Sequence, residues 1–183
     1  MKILTCFKVV SDFEHLTPDE ALAICKGEWD PNYTKKVWGT YDEAALEQGI
    51  RLKESLMAKG RQTTLTAVTV GTCPSRFFTD LFSVSFDKVV QIPSKKSLDF
   101  HPDLVAQLLF EYVRSQGGFD VIITGQQASP EEEASVPGRL ASLLGIPYLP
   151  YIFDVNITTV DELKVYSYGD VGEQEIHLTM PVL

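Results

Sequence analysis

Five apolar runs, KILTCFKVV, LTAVTV, KVVQI, FDVIIT and PYLPYIFDV, recur along the 183 residues with helix-like segments between them, and this succession limits the fold more than any other feature. The runs are rich in β-branched residues and apolar at nearly every position. A strand wet on one face would alternate, so these strands are expected to be covered on both faces, as in a parallel sheet between layers of helices. The first helical segment, YDEAALEQGIRLKESLMAKG, sets Ala45, Leu46, Ile50, Leu52, Leu56 and Met57 mostly on one face and stops at Gly60. Three more helices are predicted in SRFFTDLFSVSF, in HPDLVAQLLFEYVRSQGG with Pro102 early and Gly117-Gly118 at its end, and in SVPGRLASLLG, which ends at Gly145. Such alternation implies right-handed crossovers and a three-layer α/β/α sandwich around a mostly parallel, doubly wound, Rossmann-like sheet. Ligands of such sheets lie outside the carboxyl ends of the strands, where strand order reverses.

Two stretches depart from that rhythm. After Asp154, NITTV, ELKVYSY and EQEIHLTMPVL alternate polar and apolar residues around turn signals at Asp161-Glu162 and Gly169-Asp170, which predicts an antiparallel hairpin or meander added to the core. Residues 11–38 lie between the first strand and the first long helix without a strong period, and an insertion this long is usually functional or mobile. Within it, TPDEALAI carries the capping residue Thr17, Pro18 at the first helical position and acidic residues in the first turn, so a short helix is expected. Length and an apolar content of 44% suit one domain over residues 1–183.

Charge and composition narrow the function. A net charge of −9 argues against a nucleic-acid backbone as partner, since phosphate polymers need a basic face; small nucleotides, held by a few local groups, remain open. No run nears the ~20 apolar residues that span a bilayer, and no signal-peptide pattern precedes Lys2, so a cytoplasmic chain without membrane insertion is expected. Cys6, Cys25 and Cys73, like His15, His101 and His177, lack metal-ligand spacing, which predicts reduced thiols and no structural metal. There is no GxGxxG after the first strand, no Walker loop, no nucleophile elbow and no paired-histidine motif. These absences favour a binding protein over an enzyme, with no catalytic residue assigned.

The binding candidate is TGQQASPEEEASVPGRLASLLGIPY, residues 124–148, where a buried strand empties into a Gly-started loop that ends at a helix. Gly125 lets the backbone turn off the strand, and free amides at a helix start suit a phosphate. Ser129 and Ser135 can donate hydroxyls, and Arg139 can neutralise charge. In the competing reading Ser135 only caps the helix, Glu131, Glu132 and Glu133 sit favourably near its positive end, and Arg139 is solvated. The residues alone leave both readings open. Elsewhere, Cys6 is expected to pack rather than react. Lys8 and Asp12 flank the carboxyl end of the first strand as ligand groups or as a surface ion pair. Trp29 and Trp38 are expected to pack the insertion, and Glu47, Arg51 and Glu54 to form a solvated helix face.

MKILTCFKVVSD, GTYDEAALEQGIRLKE, AVTVGT and above all GQQASPEEEASVPGRLASLLGIP together resemble the β subunit of electron transfer flavoproteins, including the FixA-type subunits, in collinear order over nearly the whole chain. The resemblance implies an adenine-nucleotide-binding α/β fold paired with an α subunit that carries the redox FAD. In most members the β subunit holds AMP as a structural ligand, and in electron-bifurcating members a second FAD takes that site. Carried over by position, Cys6, followed by Phe7 and Lys8, falls where the first strand contacts adenosine. Gly39, Thr40, Tyr41 and Asp42 fall on an Asn-Pro-Phe-Asp-like turn, and Val70 on the strand residue beneath the nucleotide. Gly125, Gln126, Gln127, Ala128, Ser129, Glu132, Ser135 and Val136 fall on the phosphate loop.

The match is not uniform. Gly39 and Thr40 stand where Asn-Pro is common, and Ala134 and Ser135 where Asn and Gln often sit; each lost amide removes roughly 0.5–1.5 kcal/mol of net hydrogen bonding, so weaker affinity is expected. Family members also continue past the position of Pro181-Val182-Leu183, into a segment that docks redox partners and an arm that embraces the α subunit. The expectation is therefore a β-subunit-like domain lacking that segment, binding AMP or FAD and supporting electron transfer in an αβ heterodimer. An acyl-CoA-type or other dehydrogenase would be the redox partner, and a homodimer could form in isolation through apolar surface left uncovered. The alternatives are a stand-alone adenylate-binding module of the same fold, separated by whether an α subunit co-purifies, and an enzyme acting on an adenylate α-phosphate, separated by turnover of ATP.

Overall fold

The structure is a computed structural model that describes residues 1–28, 34–94, 98, 101–126, 135–159, 162–169 and 172–183. In chain order the elements are β1 (Lys2–Cys6), β2 (Val9–Ser11), α1 (Pro18–Cys25), β3 (Lys36–Trp38), α2 (Thr40–Ala58), β4 (Thr64–Val70), α3 (Ser75–Ser83), β5 (Lys88–Ile92), α4 (Pro102–Ser115), β6 (Val121–Thr124), α5 (Ser135–Leu144), β7 (Ile152–Ile157), β8 (Glu162–Gly169) and β9 (Gly172–Thr179).

The first apolar runs form a parallel sheet in the order β5-β4-β1-β6. Leu4 of β1 lies opposite Thr66 of β4 on one side and Ile122 of β6 on the other. The chain thus adds β4 and β5 in one direction, then returns to place β6 on the far side of β1, so strand order reverses between β1 and β6. Alternate residues of β1 enter different cores, which explains why the strand is apolar throughout. Ile3 and Phe7 pack with Leu46, Leu52 and Leu56 of α2 and with Phe77 and Leu81 of α3. Leu4 and Cys6 pack with Ala106, Leu109 and Val113 of α4 and with Leu140 and Ala141 of α5. This is the three-layer α/β/α arrangement expected from the alternation.

Helix α2 is fixed by a stripe at helical spacing, with Asp42, Ala45, Leu46, Gly49, Leu52, Lys53 and Leu56 buried. Met57, expected on that face, is 58% exposed because the next inward place belongs to Leu56 and the stripe has turned past it. Lys53 faces inward instead. Its Nζ donates to both Asp87 carboxylate oxygens at 2.8 Å and to the Ser85 carbonyl at 2.6 Å, while Asp87 also accepts the Leu65 N–H at 2.7 Å. The buried ammonium is thereby compensated and ties α2 to the segment entering β5. Gly49 lets the helix lie close on the sheet: a Cβ there would stand 2.6 Å from Thr5 Oγ1 and 3.2 Å from Leu65 Cδ1.

KILTCFKVV is not one strand. Pairing with β4 and β6 ends at Cys6, and Val9–Ser11 turns away to pair antiparallel with β3, Val9 opposite Trp38. This short ribbon closes the root of the long insertion. Inside the insertion α1 forms as expected, with a reciprocal capping box in which Glu20 N–H donates to Thr17 Oγ1 at 3.3 Å and Thr17 N–H to Glu20 Oε2 at 2.8 Å. Trp38 packs against Phe7 at 5.5 Å and edge-on against Phe77 at 4.6 Å between ring centroids, an arrangement worth about 0.5–1.5 kcal/mol per pair beyond area burial. Trp29 lies outside the described residues.

PYLPYIFDV does not become a further parallel strand. Pro147 and Pro150 lack the N–H donors a central strand needs, and Ile152–Ile157 pairs antiparallel with β8. With β9 it forms the expected meander, which presents Ile157, Leu163 and Val165 to the same core as α2. Gln48 and Lys59 of α2 donate to the Phe153 and Ile157 carbonyls at 3.1 and 2.7 Å. The position beside β6 is held by the closing residues: Val182 bridges Val121 in parallel, and Ile122 N–H donates to the Val182 carbonyl at 2.9 Å. Val182 and Leu183 are thus core residues, both buried, while Pro181 is exposed. Among the described residues no helix is long and apolar enough to cross a membrane.

Candidate functional site

Three segments far apart in sequence meet at the carboxyl edge of the parallel sheet, at the reversal between β1 and β6. The first is the exit of β1. Phe7 N–H donates to the Val68 carbonyl at 2.9 Å, and the Lys8 carbonyl accepts the Gly39 N–H at 3.3 Å. The second is the start of α2, where Glu43 N–H donates to the Gly39 carbonyl at 2.8 Å and Gly39, as N-cap, has no side chain to hold the first-turn amides. An end of this kind carries partial positive charge. The third is the exit of β6, residues 124–126.

Glycine makes the convergence possible. A Cβ on Gly125 would lie 2.8 Å from Asp42 Oδ1, 2.9 Å from Asp42 N and 3.0 Å from the Tyr41 carbonyl carbon, so strand exit and helix start touch backbone to backbone. Its φ is not positive. Close approach, rather than the sharp turn expected from the sequence, is what requires glycine here. At Gly39 a Cβ would run into the Asp42 carboxylate, which sits over the glycine. The residue that departs from the Asn-Pro pattern is therefore matched by its own neighbour.

Burial and charge set the chemistry of the edge. Asp42 is buried, and the Cys6 thiol is pushed up to about 12, first by burial and then by the Asp42 carboxylate. Cys6 stays protonated at neutral pH and packs, as expected. Burial also raises the Tyr112 hydroxyl, with a smaller contribution from Cys6. Val70, at the end of β4 opposite Ile92, and Val136, early in α5, are half-buried and belong to the same apolar cluster as Cys6. All three lie on the α4/α5 side of the sheet. The Phe7 ring lies on the other face, in the core beneath Trp38, so of the β1 exit residues it contributes packing.

The remaining candidates divide plainly. Lys8 and Gln126 are half-buried at the edge, Thr40 and Tyr41 are exposed on the first turn of α2, and Ser135 opens α5. Gln127, Ala128, Ser129 and Glu132 lie outside the described residues. Arg139 is exposed and its guanidinium pairs with Asp103 of α4, so it faces the neighbouring helix. Asp12 pairs with His15 at 2.8 Å, and that hydrogen bond holds its carboxyl below the usual range. Glu47 and Arg51 form a solvated pair at 2.8 Å. Sequence reasoning missed Gln91, whose side chain donates to the Gly71 carbonyl at 2.7 Å and braces the exit of β4, where Gly71 takes a φ of +95°. The glycine directly after the TLTAVTV run was the available signal. Among the described residues no group of three or more His, Cys, Asp or Glu side chains could hold a metal ion.

The family model for the electron transfer flavoprotein domain matches residues 34–182, which contain the α2 start, the β4 and β6 exits and α5. The chain belongs to the electron transfer flavoprotein family. It is 32% identical over 169 residues to the electron transfer flavoprotein subunit beta of Bacillus subtilis (strain 168), an alignment covering 90% of this chain and 62% of that one. It is 28% identical over 150 residues to a putative electron transfer flavoprotein subunit of Escherichia coli (strain K12), covering 80% and 56%. All 183 residues align at 25% identity with the electron transfer flavoprotein subunit beta of Syntrophomonas wolfei subsp. wolfei, spanning 68% of it. The resemblance is thus to the β type of the family, and the chain spans about six-tenths of the first two relatives.

Proposed function

We propose that this flavoprotein-family chain binds an adenine nucleotide, AMP or FAD, at the carboxyl edge of its parallel sheet, and supports electron transfer as one half of an αβ heterodimer. The observation that carries the reading is the backbone-to-backbone junction of the α2 start with the β6 exit through Gly125, at the point where strand order reverses. The residues there suit an adenylate. Cys6, Val70 and Val136, apolar residues on the α4/α5 side of the sheet, would offer a purine apolar surface to pack on. A carboxylate only accepts hydrogen bonds, so Asp42 would serve the donors of adenosine, its ribose hydroxyls or amine, and not its phosphates.

When the ligand is FAD the flavin supplies the electron chemistry; the chain's own part is to hold, orient and shield it. No side chain is assigned as an acid, base or nucleophile. The described elements are proposed to act as one domain over residues 1–183, with an α-type subunit as partner and an acyl-CoA-type or other dehydrogenase as electron source. Denaturing the purified protein and identifying what it releases by absorbance and mass tests the reading. Released FAD or AMP supports it and distinguishes redox from structural use. A folded protein that releases nothing and takes up neither AMP nor FAD on titration refutes it.

A further inference from the structure

Gln91 breaks the pattern of the strand that carries it. In β5, Val89 packs into the core shared with α2 and α3, and Val90 and Ile92 into the one shared with α4 and α5. Gln91 follows Val89 in the α2/α3 row, where an apolar side chain would continue the core, and it is half-buried. β5 ends the parallel sheet, and a residue on such a strand can be polar simply because it is wet. Here the amide is turned along the sheet instead, with Nε2 donating to the Gly71 carbonyl at 2.7 Å.

Gly71 is thereby gripped at two points by β5. Its N–H donates to the Ile92 carbonyl at 2.9 Å, and its own carbonyl accepts from Gln91. Its φ is +95°, and a Cβ there would stand at an ordinary 3.9 Å from Leu98 Cδ1, so backbone angle rather than crowding calls for glycine. Glycine has the widest choice of backbone angles of any residue, and the two hydrogen bonds select one of them. The selection bears on the candidate site. Pairing of β1 with β4 ends at Cys6 opposite Val68, and β4 runs on to Val70, which lies in one apolar cluster with Cys6 and Val136. Gly71 follows directly. Gln91, in the Val89 row, lies on the other side of the sheet from these three.

We propose that Gln91 is a positioning residue of the nucleotide site: by holding the Gly71 carbonyl it fixes the exit of β4, and Val70 with it, in the arrangement that the ligand meets. The inference rests on the adenine-nucleotide reading. An exit already held in place spends no binding free energy on being ordered, so loss of the bond shows in affinity. Gln91→Leu keeps the size of the side chain and removes the donor. Gln91→Glu has a donor only while its carboxyl is protonated, which half-burial beside a carbonyl oxygen favours at mildly acidic pH. Gln107→Leu, the same change on the exposed face of α4, serves as control. Dissociation constants for AMP and for FAD are measured by calorimetry at about pH 8 and about pH 5.5. Each is divided by the wild-type value at the same pH to cancel titration of the phosphate, and melting curves establish folding.

The expected result is about fivefold or more weaker binding by Gln91→Leu at both pH values, and by Gln91→Glu at the higher one. At the lower pH, Gln91→Glu should recover about threefold or more relative to wild type, while the control stays within about twofold throughout. Recovery on protonation is what a merely structural side chain would not show. Gln91→Leu binding as tightly as wild type, even with a lowered melting temperature, overturns the inference and leaves the nucleotide reading intact. Gln91→Glu equally weak at both pH values, or as tight as wild type at both, overturns it as well, and does so even if the leucine variant fails to fold. A folded wild type that binds neither AMP nor FAD overturns the inference together with the reading it rests on.

Discussion

At the carboxyl edge of the parallel sheet, a Cβ added to Gly125 meets backbone atoms of Tyr41 and Asp42 within 3.0 Å, whereas in the antiparallel sheet the nearest atoms to a Cβ added to Gly169 are those at the end of the Gln174 side chain. The first obstacle cannot move without shifting a helix against a strand. The second moves by rotating about side-chain bonds. The first place joins segments far apart in sequence by fixed close packing, and the second joins the two strands of a hairpin, Gly169 opposite Gly172, by pairing with a wet outer face. A site that must hold a ligand in one geometry belongs in the first kind of place.

Thiol chemistry should show the widest contrast. Cys6 is buried at the rigid edge with its thiol pushed up to about 12, while Cys25 is exposed. With an aromatic disulfide reagent at pH 8, Cys6 in the native chain is expected to react on the order of a hundredfold more slowly than Cys25. Equal rates would mean that the edge opens readily. Next in size, Gly125→Ala is expected to destabilise the chain by about 2–3 kcal/mol in denaturant unfolding, the upper part of the range for overpacking. Its counterpart Gly169→Ala should stay within about 0.5 kcal/mol, as surface changes do. Similar losses for the two would break the comparison.

A pH experiment sharpens it further. Burial disfavours ionisation of Asp87, but the hydrogen bonds from Lys53 and Leu65 and the charges of Lys53 and Lys88 outweigh it and hold the carboxyl below its usual value of 3.8. A depressed carboxyl contributes stability that is present above the unfolded value and lost as pH falls through the folded one. The wild type should therefore lose stability below about pH 4, and Asp87→Asn should flatten that part of the curve. At pH 7, Asp87→Asn leaves Lys53 bound to the Ser85 carbonyl; because the carboxylate is partly exposed, the expected cost is only about 1 kcal/mol. A steeper acid loss in the variant would contradict the role given to the pair.

Much of this architecture could be read from residue patterns, because the decisive signals were local. Continuous apolarity marked β1, β4, β5 and β6 as doubly covered, and period-two alternation marked β8 and β9. What stayed hidden depends on contacts between segments far apart. No local pattern tells that Gly125 is glycine because of Asp42, or that Gly49 is glycine because of Thr5. The placement of Val182 beside β6 and the inward turn of Lys53 toward Asp87 have the same origin. Met57 was misplaced because an apolar residue at the edge of a stripe carries no mark of which side it falls on. The resemblance located Cys6, Gly39, Asp42 and Gly125 through their motifs, and the geometry adds why two of them have no side chain.

Amide hydrogen exchange with and without AMP tests the central claim most directly. The account predicts slowed exchange at Thr40 to Asp42 and at Gly125 and Gln126, with β7, β8 and β9 unchanged. Binding of AMP that leaves the α2 start and the β6 exit unprotected, or that protects the antiparallel sheet instead, would contradict it.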